Sequence, residues 1–171
     1  MNLKYSETFY SPQGEGAYVG IPSLWIRFFL CNLQCNGFGQ DEPTKPDTWE
    51  LPYETIDISE IKVVEELPVF DKGCDSSYTW AKKYKHLITD RTVEEAVDEL
   101  TALLPTSTFI HAKTGQAADM VFTGGEPMLK QAQLSMVAIM REFAKRGDCP
   151  ARVTVETNGT KAIHEDLVEL I

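Results

Sequence analysis

Apolar clusters alternate along the chain with polar, turn-forming stretches, and the period of each cluster predicts an element. Residues 23–29 are a nearly continuous run of Leu, Trp, Ile and Phe, the pattern of a buried strand, and the run leads into Cys31. Thr92-Val-Glu-Glu95 reads as a capping box. After it Val93, Ala96, Val97, Leu100, Leu103 and Leu104 recur at helical spacing. Residues 120–122 predict a short buried strand ending in Thr123-Gly-Gly-Glu-Pro127. A helix follows from about residue 128 to 146, with Leu129, Met136, Val137, Met140 and Ala144 on one face and Gly147 as its stop. Residues 152–155 predict another strand, ending in Glu156-Thr-Asn-Gly-Thr160, and a last helix begins near Ala162. Residues 36–73 differ: they carry Pro43, Pro46, Pro52 and Pro68, scattered acids and no sustained period. They read as an inserted excursion with a short strand near residues 61–64, within a single domain spanning 1–171.

Strands alternating with helices predict parallel βαβ units, whose ligands gather at the carboxyl ends of the strands. Here three predicted strands each end in a marked loop: the cysteines, the Gly-Gly-Glu turn and the Glu-Thr-Asn-Gly turn. That convergence predicts one site.

Composition narrows the classes. At 171 residues the chain suits one domain with a real core, and an apolar content of 43% is ordinary for a globular protein. A net charge of -10 disfavours broad nucleic-acid binding, which draws on Lys and Arg. The longest apolar patch, residues 24–30, is broken by Arg27 and falls short of the roughly 20 apolar residues of a membrane span. With no charged-then-apolar signal at the N-terminus, the expected compartment is the cytoplasm, where thiols stay reduced.

Three of the four cysteines therefore read as metal or redox groups: Cys31 and Cys35, a three-residue gap apart in a polar loop, and Cys74 in Gly73-Cys-Asp-Ser76. A cluster suits that spacing. Zinc is a rival, but a second paired knuckle is missing and His86, His111 and His164 are scattered. Small buried thiols are the plainest alternative. Cys149, in Gly147-Asp-Cys-Pro150, reads as a structural thiol in a turn. Gly124-Gly125 would expose backbone groups to a close ligand and Glu126 would add an acceptor for an amine. Arg27, a charge inside a buried strand, needs either a carboxylate ligand or an internal acid. Gln13-Gly-Glu-Gly16 reads as a flexible loop, and residues 82–86, Lys-Lys-Tyr-Lys-His, as a solvated face.

Taken in order, these strings resemble the radical S-adenosylmethionine enzymes and, more narrowly, the 7-carboxy-7-deazaguanine synthases. Glu7-Thr-Phe-Tyr-Ser-Pro-Gln-Gly-Glu-Gly-Ala-Tyr-Val-Gly-Ile-Pro22 is similar to that family's opening, Thr123 to Pro127 to its Gly-Gly-Glu motif, and Glu156 to Thr160 to its Glu-Thr-Ser/Asn-Gly turn. The family's C-x3-C-x2-C would put a third cysteine where this chain has Phe38. Cys74-Asp-Ser-Ser-Tyr-Thr-Trp80 matches the string that follows the family's third cysteine, so the resemblance implies an insertion of residues 36–73 between the second and third ligands. Such loops are tolerated because closure entropy grows by only roughly 0.6 kcal/mol per doubling.

The resemblance implies a partial (β/α) barrel of the α/β class. It would be incomplete at its C-terminus, because the family continues with further strands where this chain stops at Ile171. It implies a 4Fe-4S cluster on Cys31, Cys35 and Cys74. S-adenosylmethionine would lie against Gly73, Asp75, Gly124, Gly125, Glu126 and Thr157, and Mg2+ on the Ser76 hydroxyl. A pterin substrate, 6-carboxy-5,6,7,8-tetrahydropterin, would contact Pro12, Gln13, Gly14, Glu15, Arg27 and Thr123, with Arg27 on its carboxylate. A 5′-deoxyadenosyl radical would abstract a substrate hydrogen, and ring contraction with loss of ammonia would give 7-carboxy-7-deazaguanine. The resemblance also implies an external electron donor, and it admits a homodimer. The alternatives are a glycyl-radical-enzyme activase, disfavoured by the Gln13, Glu15 and Arg27 group, and a non-catalytic metal-binding fragment.

Overall fold

The apolar run read from the sequence is the central strand of a five-stranded sheet. In the computed structural model, which describes residues 1–169, the strands are β1 (Asn2–Pro12), β2 (Pro22–Phe28), β3 (Thr89–Thr92), β4 (Asp119–Gly124) and β5 (Val153–Val155). Their order is β3-β1-β2-β4-β5. The predicted parallel pairs are β2 with β4 and β4 with β5, while β1 runs antiparallel to both β2 and β3. The sheet is therefore mixed and open, and β1 precedes the strand that reads as the first. The α-helices among the described residues are α1 (Pro52–Thr55), α2 (Val93–Leu103), α3 (Lys130–Arg146) and α4 (Glu165–Val168). The helix expected to run toward Ile171 is described as α4 only; Leu170 and Ile171 lie outside the described residues.

Local chemistry explains α2 and α3. Thr92 accepts from the Glu95 amide while the Glu95 carboxylate accepts from the Thr92 amide, the reciprocal capping box. Helix α3 stops at Gly147, whose left-handed φ of 72° lets its amide reach Ala144 and the Asp148 amide reach Phe143. Both helices pack on one face of the sheet. Leu3, Tyr5, Leu24, Ile26, Phe28, Met120 and Phe122 point there and join Val97, Leu100, Met136, Ile139 and Phe143 in the main core. Each such side chain removed from water stabilises by roughly 1.5–3 kcal/mol. The alternate residues of the strands, among them Trp25, Arg27, Val121 and Thr123, face the other way, toward what is here called the inner face.

The excursion has a small core of its own. Tyr53, Val64 and Phe70 pack with Ala81, Tyr84 and Leu87, and the Tyr84 hydroxyl donates to the Tyr53 carbonyl at 2.6 Å. Residues 82–86 are accordingly not a plain solvated face. They lie in a 3-10 helix, Lys82–Leu87, with Tyr84 fully buried and Lys83 donating to the Glu54 and Ile56 carbonyls. The strand expected near residues 61–64 is not formed; Val64–Glu66 is a 3-10 turn instead, its backbone spent on local bonds as the Lys62 amide donates to the Glu66 carboxylate and the Leu67 amide to the Val64 carbonyl. No helix among the described residues is long and apolar enough to cross a membrane.

Candidate active site

The three marked loops do meet, at the carboxyl ends of the parallel strands β2, β4 and β5. The Gly125 amide donates to the Phe28 carbonyl at 3.2 Å and the Glu126 amide to the Leu30 carbonyl at 2.9 Å. Glycine is required at both positions before Glu126. A Cβ on Gly124 would stand 2.5 Å from the Phe28 oxygen, and one on Gly125 would stand 2.3 Å from the Leu30 oxygen and 2.8 Å from the Cys31 Cβ. The paired glycines thus let the turn after β4 lie against the entry to the cysteine loop. The Gly125 amide is spent on that contact, whereas its carbonyl accepts no hydrogen bond among the described residues.

Glu126 is fully buried and ties the second loop to the third. Its Oε1 accepts from the Thr157 hydroxyl at 2.6 Å and the Met128 amide at 2.8 Å, and its Oε2 accepts from the Asn158 amide at 2.9 Å. Asn32, between the first two cysteines, closes the ring: it accepts from the Asn158 side chain at 3.3 Å and donates to the Thr160 hydroxyl at 2.9 Å. The N-terminal loop joins through Gln13, which is buried and donates to Glu156 at 3.2 Å. Its side-chain oxygen accepts from the Glu15 amide. Gln13 is therefore anchored, not flexible. Pro12 and Gly14 flank it, Pro12 as the last residue of β1 and Gly14 exposed.

The ends of the excursion are pinched together. The Gly73 amide donates to the Phe38 carbonyl at 2.8 Å, and Gly39 lies so close to the Asp71 carbonyl that a Cβ would stand 2.2 Å from it. Cys74 is thus brought back beside the start of the excursion, next to the cysteine loop. Burial raises the Cys31 and Cys35 thiols above the ordinary range, and the neighbouring Cys74 pushes both further in the same direction. Two sulfurs already accept N–H donors, Cys31 from the Leu33 amide at 3.4 Å and Cys74 from the Trp80 indole at 3.5 Å. Leu30 and Cys35 have positive φ, 81° and 51°, a conformation that costs a non-glycine residue roughly 1–3 kcal/mol and concentrates at functional sites. Among the described residues no three His, Cys, Asp or Glu side chains converge on one ion. Thiolates on a cluster bind different irons and need not converge in that way. Cys149 is exposed, in the turn after α3 at the far end of the sheet.

A row of polar groups crosses the inner face beside the cysteines. Glu7 on β1 is registered with Arg27 on β2, and Arg27 with Thr123 on β4. Arg27 Nε donates to Glu7 Oε1 at 2.6 Å with both side chains about four-fifths buried, so the internal acid is the partner the structure supplies. The Tyr78 hydroxyl donates to the same oxygen at 2.8 Å. Burial alone would lower the Arg27 pKa; Tyr78 and Glu7 outweigh it and leave it raised. Arg27 Nη1 reaches Ser76 Oγ at 3.4 Å, and Ser76 in turn donates to Asp75 at 2.9 Å. The Ser76 hydroxyl, expected to hold magnesium, thus lies between the Arg27 guanidinium and the Asp75 carboxylate. Glu7, Tyr78, Asn32 and Glu156 were not among the residues singled out from the sequence. All four lie in strings read from the sequence, but the pairing of Glu7 and Tyr78 with Arg27 depends on the strand register and on the return of the excursion, which no local string shows.

The fold and the three-loop site define an open α/β sheet with its chemistry at the parallel strand ends. The crystal structure of QueE from Escherichia coli has the same fold, with a TM-score of 0.50 and 20% identity over 96% of this chain and 56% of that one. No protein-family model matches the chain. Curated proteins similar to the chain are 7-carboxy-7-deazaguanine synthases, the family its motifs resemble. The chain is 28% identical to that enzyme from Halobacterium salinarum over 96% of this chain and 41% of the relative. With the Thermoplasma acidophilum enzyme it is 26% identical over 92% of this chain and 47% of the relative. A 36-residue stretch is 53% identical to the Bacteroides thetaiotaomicron enzyme. The chain thus spans less than half the length of these curated relatives.

Proposed function

We propose that this chain carries the cluster and cofactor site of a 7-carboxy-7-deazaguanine synthase, a radical S-adenosylmethionine lyase acting on 6-carboxy-5,6,7,8-tetrahydropterin with loss of ammonia. In this reading residues 1–171 are one radical S-adenosylmethionine domain and 36–73 are inserted between the second and third ligands. The observation that supports it most is the pinched neck, since the Gly73 amide on Phe38 holds Cys74 beside the position where the family's third cysteine falls. The donor set suits a 4Fe-4S cluster: three cysteines near one another, two with sulfurs already accepting N–H groups.

Cys31, Cys35 and Cys74 would hold three irons through their thiolates. When bound, the cluster and S-adenosylmethionine supply a carbon radical that takes a hydrogen atom from the substrate. The free Gly125 carbonyl, with Gly124 and the Gly73–Asp75 backbone, would receive the cofactor's amino and carboxylate ends. Glu126 and Thr157 would border the cofactor's amino end while holding the two turns in place, with three protein donors on the Glu126 carboxylate and an acceptor site left on Oε2. Arg27, Thr123 and the loop of Pro12, Gln13, Gly14 and Glu15 would grip the pterin, with the guanidinium on its carboxylate. Ser76, with the Asp75 carboxylate beside it, would offer oxygen to Mg2+. An external one-electron donor completes the proposal, and a reducing cytoplasm keeps the thiols available.

Anaerobic reconstitution with iron and sulfide tests it. A brown cluster should form, disappear in Cys74→Ala and persist in Cys149→Ala, and product should follow when S-adenosylmethionine, reductant and the carboxypterin are added. A colourless protein holding zinc would overturn the radical reading. Cofactor cleavage without deazaguanine would overturn the substrate.

A further inference from the structure

We propose that Glu7 and Tyr78 are positioning residues that aim Arg27 and fasten it to the turn carrying Cys74. The substrate half of this rests on the reading of Arg27 as the carboxylate-binding group.

A bulge in β1 makes the arrangement. Leu3 and Tyr5 point into the helix-covered core, and strand side chains alternate with a period of two, so an unbroken strand would send Glu7 into that core as well. Instead, two residues of β1 oppose one step of β2 between Tyr5 and Glu7. The extra residue, Ser6, is 8% exposed and its buried hydroxyl has no hydrogen-bond partner among the described residues. The bulge turns Glu7 onto the inner face and into register with Arg27, as bulges elsewhere re-aim side chains beside functional sites.

The resulting contacts divide the guanidinium. Glu7 takes Nε, and Nη1 has only the long contact to Ser76, so the end formed by Nη1 and Nη2 is the edge left for a planar carboxylate. Tyr78 donates to the same Glu7 oxygen from four residues beyond Cys74, and the Leu30 amide donates to the Thr79 carbonyl at 2.7 Å. The strand pair and the Cys74 turn are thereby joined at two points. One group orients the substrate's charged end and helps seat the third thiol.

The test uses the cluster-free chain, two fluorescent oxidised probes (6-carboxypterin and unsubstituted pterin), and alkylation of each cysteine followed by mass spectrometry at one pH. Glu7→Ala should weaken 6-carboxypterin binding by roughly tenfold and leave pterin binding unchanged, with Glu7→Gln between it and the wild type. Tyr78→Phe should weaken it by roughly threefold, and both variants should speed alkylation of Cys74 relative to Cys31. Tyr78→Phe keeps the ring and carries the test if Glu7→Ala does not fold. Equal losses for both probes, tighter carboxypterin binding in Glu7→Ala (a mere counter-charge), or an unchanged Cys74 rate would overturn the proposal. If the wild type ignores the carboxylate while Cys74 still reacts faster in the variants, the substrate reading fails and the seating of Cys74 stands.

Discussion

Gly39→Ala isolates the neck of the excursion. Gly39 has a φ of 65°, and a methyl there would stand 2.2 Å from the Asp71 carbonyl oxygen and 3.3 Å from the Lys72 Cα. The left-handed backbone costs an alanine roughly 1–2 kcal/mol. The clash is with backbone, which cannot swing aside as a side-chain end would, and relieving it costs roughly 1–3 kcal/mol more. Parting the two segments of the neck also sacrifices the Gly73 to Phe38 hydrogen bond, worth roughly 0.5–1.5 kcal/mol. The total, roughly 3–6 kcal/mol, moves the closed-to-open ratio of the neck by two to four powers of ten. The main core contains no residue of the excursion, so this penalty should not reach global stability. Reconstituted Gly39→Ala should therefore lose the cluster's iron and absorbance almost as fully as Cys74→Ala, while its denaturation midpoint stays near the wild type. The double variant should be no worse than either single one, because both remove the same ligand. Full cluster occupancy in Gly39→Ala would show that Cys74 is seated by something other than the neck, or is not a ligand.

Other expectations follow from the same geometry. Thr92→Ala removes half of the capping box and should cost about 1 kcal/mol in urea denaturation. The Thr92 backbone and side chain hold the Glu95 carboxyl below its usual range. A depressed folded-state pKa stabilises above the unfolded value and is lost as pH falls through the folded one, so acid titration of stability should be shallower in Thr92→Ala. Phe122→Ala empties a site 1% exposed and stacked on Phe28, and should cost roughly 3–5 kcal/mol by calorimetry. Glu126→Gln turns an amide donor toward groups that themselves donate. It should cost roughly 1–3 kcal/mol and release the Asn158 amide to faster hydrogen exchange, whereas an unchanged Asn158 rate would refute the clasp.

What could be read from the chain was whatever has a local cause. The capping box at Thr92, the glycine stop at Gly147 and the apolar runs of β2 and β4 each announce themselves within a few residues. The strand-end loops also announce themselves, because turn residues after an apolar run have little else to do. The glycines of Thr123-Gly-Gly-Glu were legible as a type, yet their use was not: they accommodate the neighbouring loop and leave the Gly125 carbonyl without a hydrogen-bond donor among the described residues. Strand β3 is four polar residues at a sheet edge and exists only because β1 pairs with it. The excursion's core has no period to detect, since Tyr53, Val64, Phe70 and Tyr84 come from turns and 3-10 segments. Strand β1 hid for a sharper reason. Its alternation is broken at Ser6, so Leu3 and Tyr5 point one way and the polar Glu7 does not continue the pattern. The irregularity that conceals the strand is the one that delivers Glu7 to Arg27. In this protein the break in the pattern and the placement of the site's principal cation are one structural event.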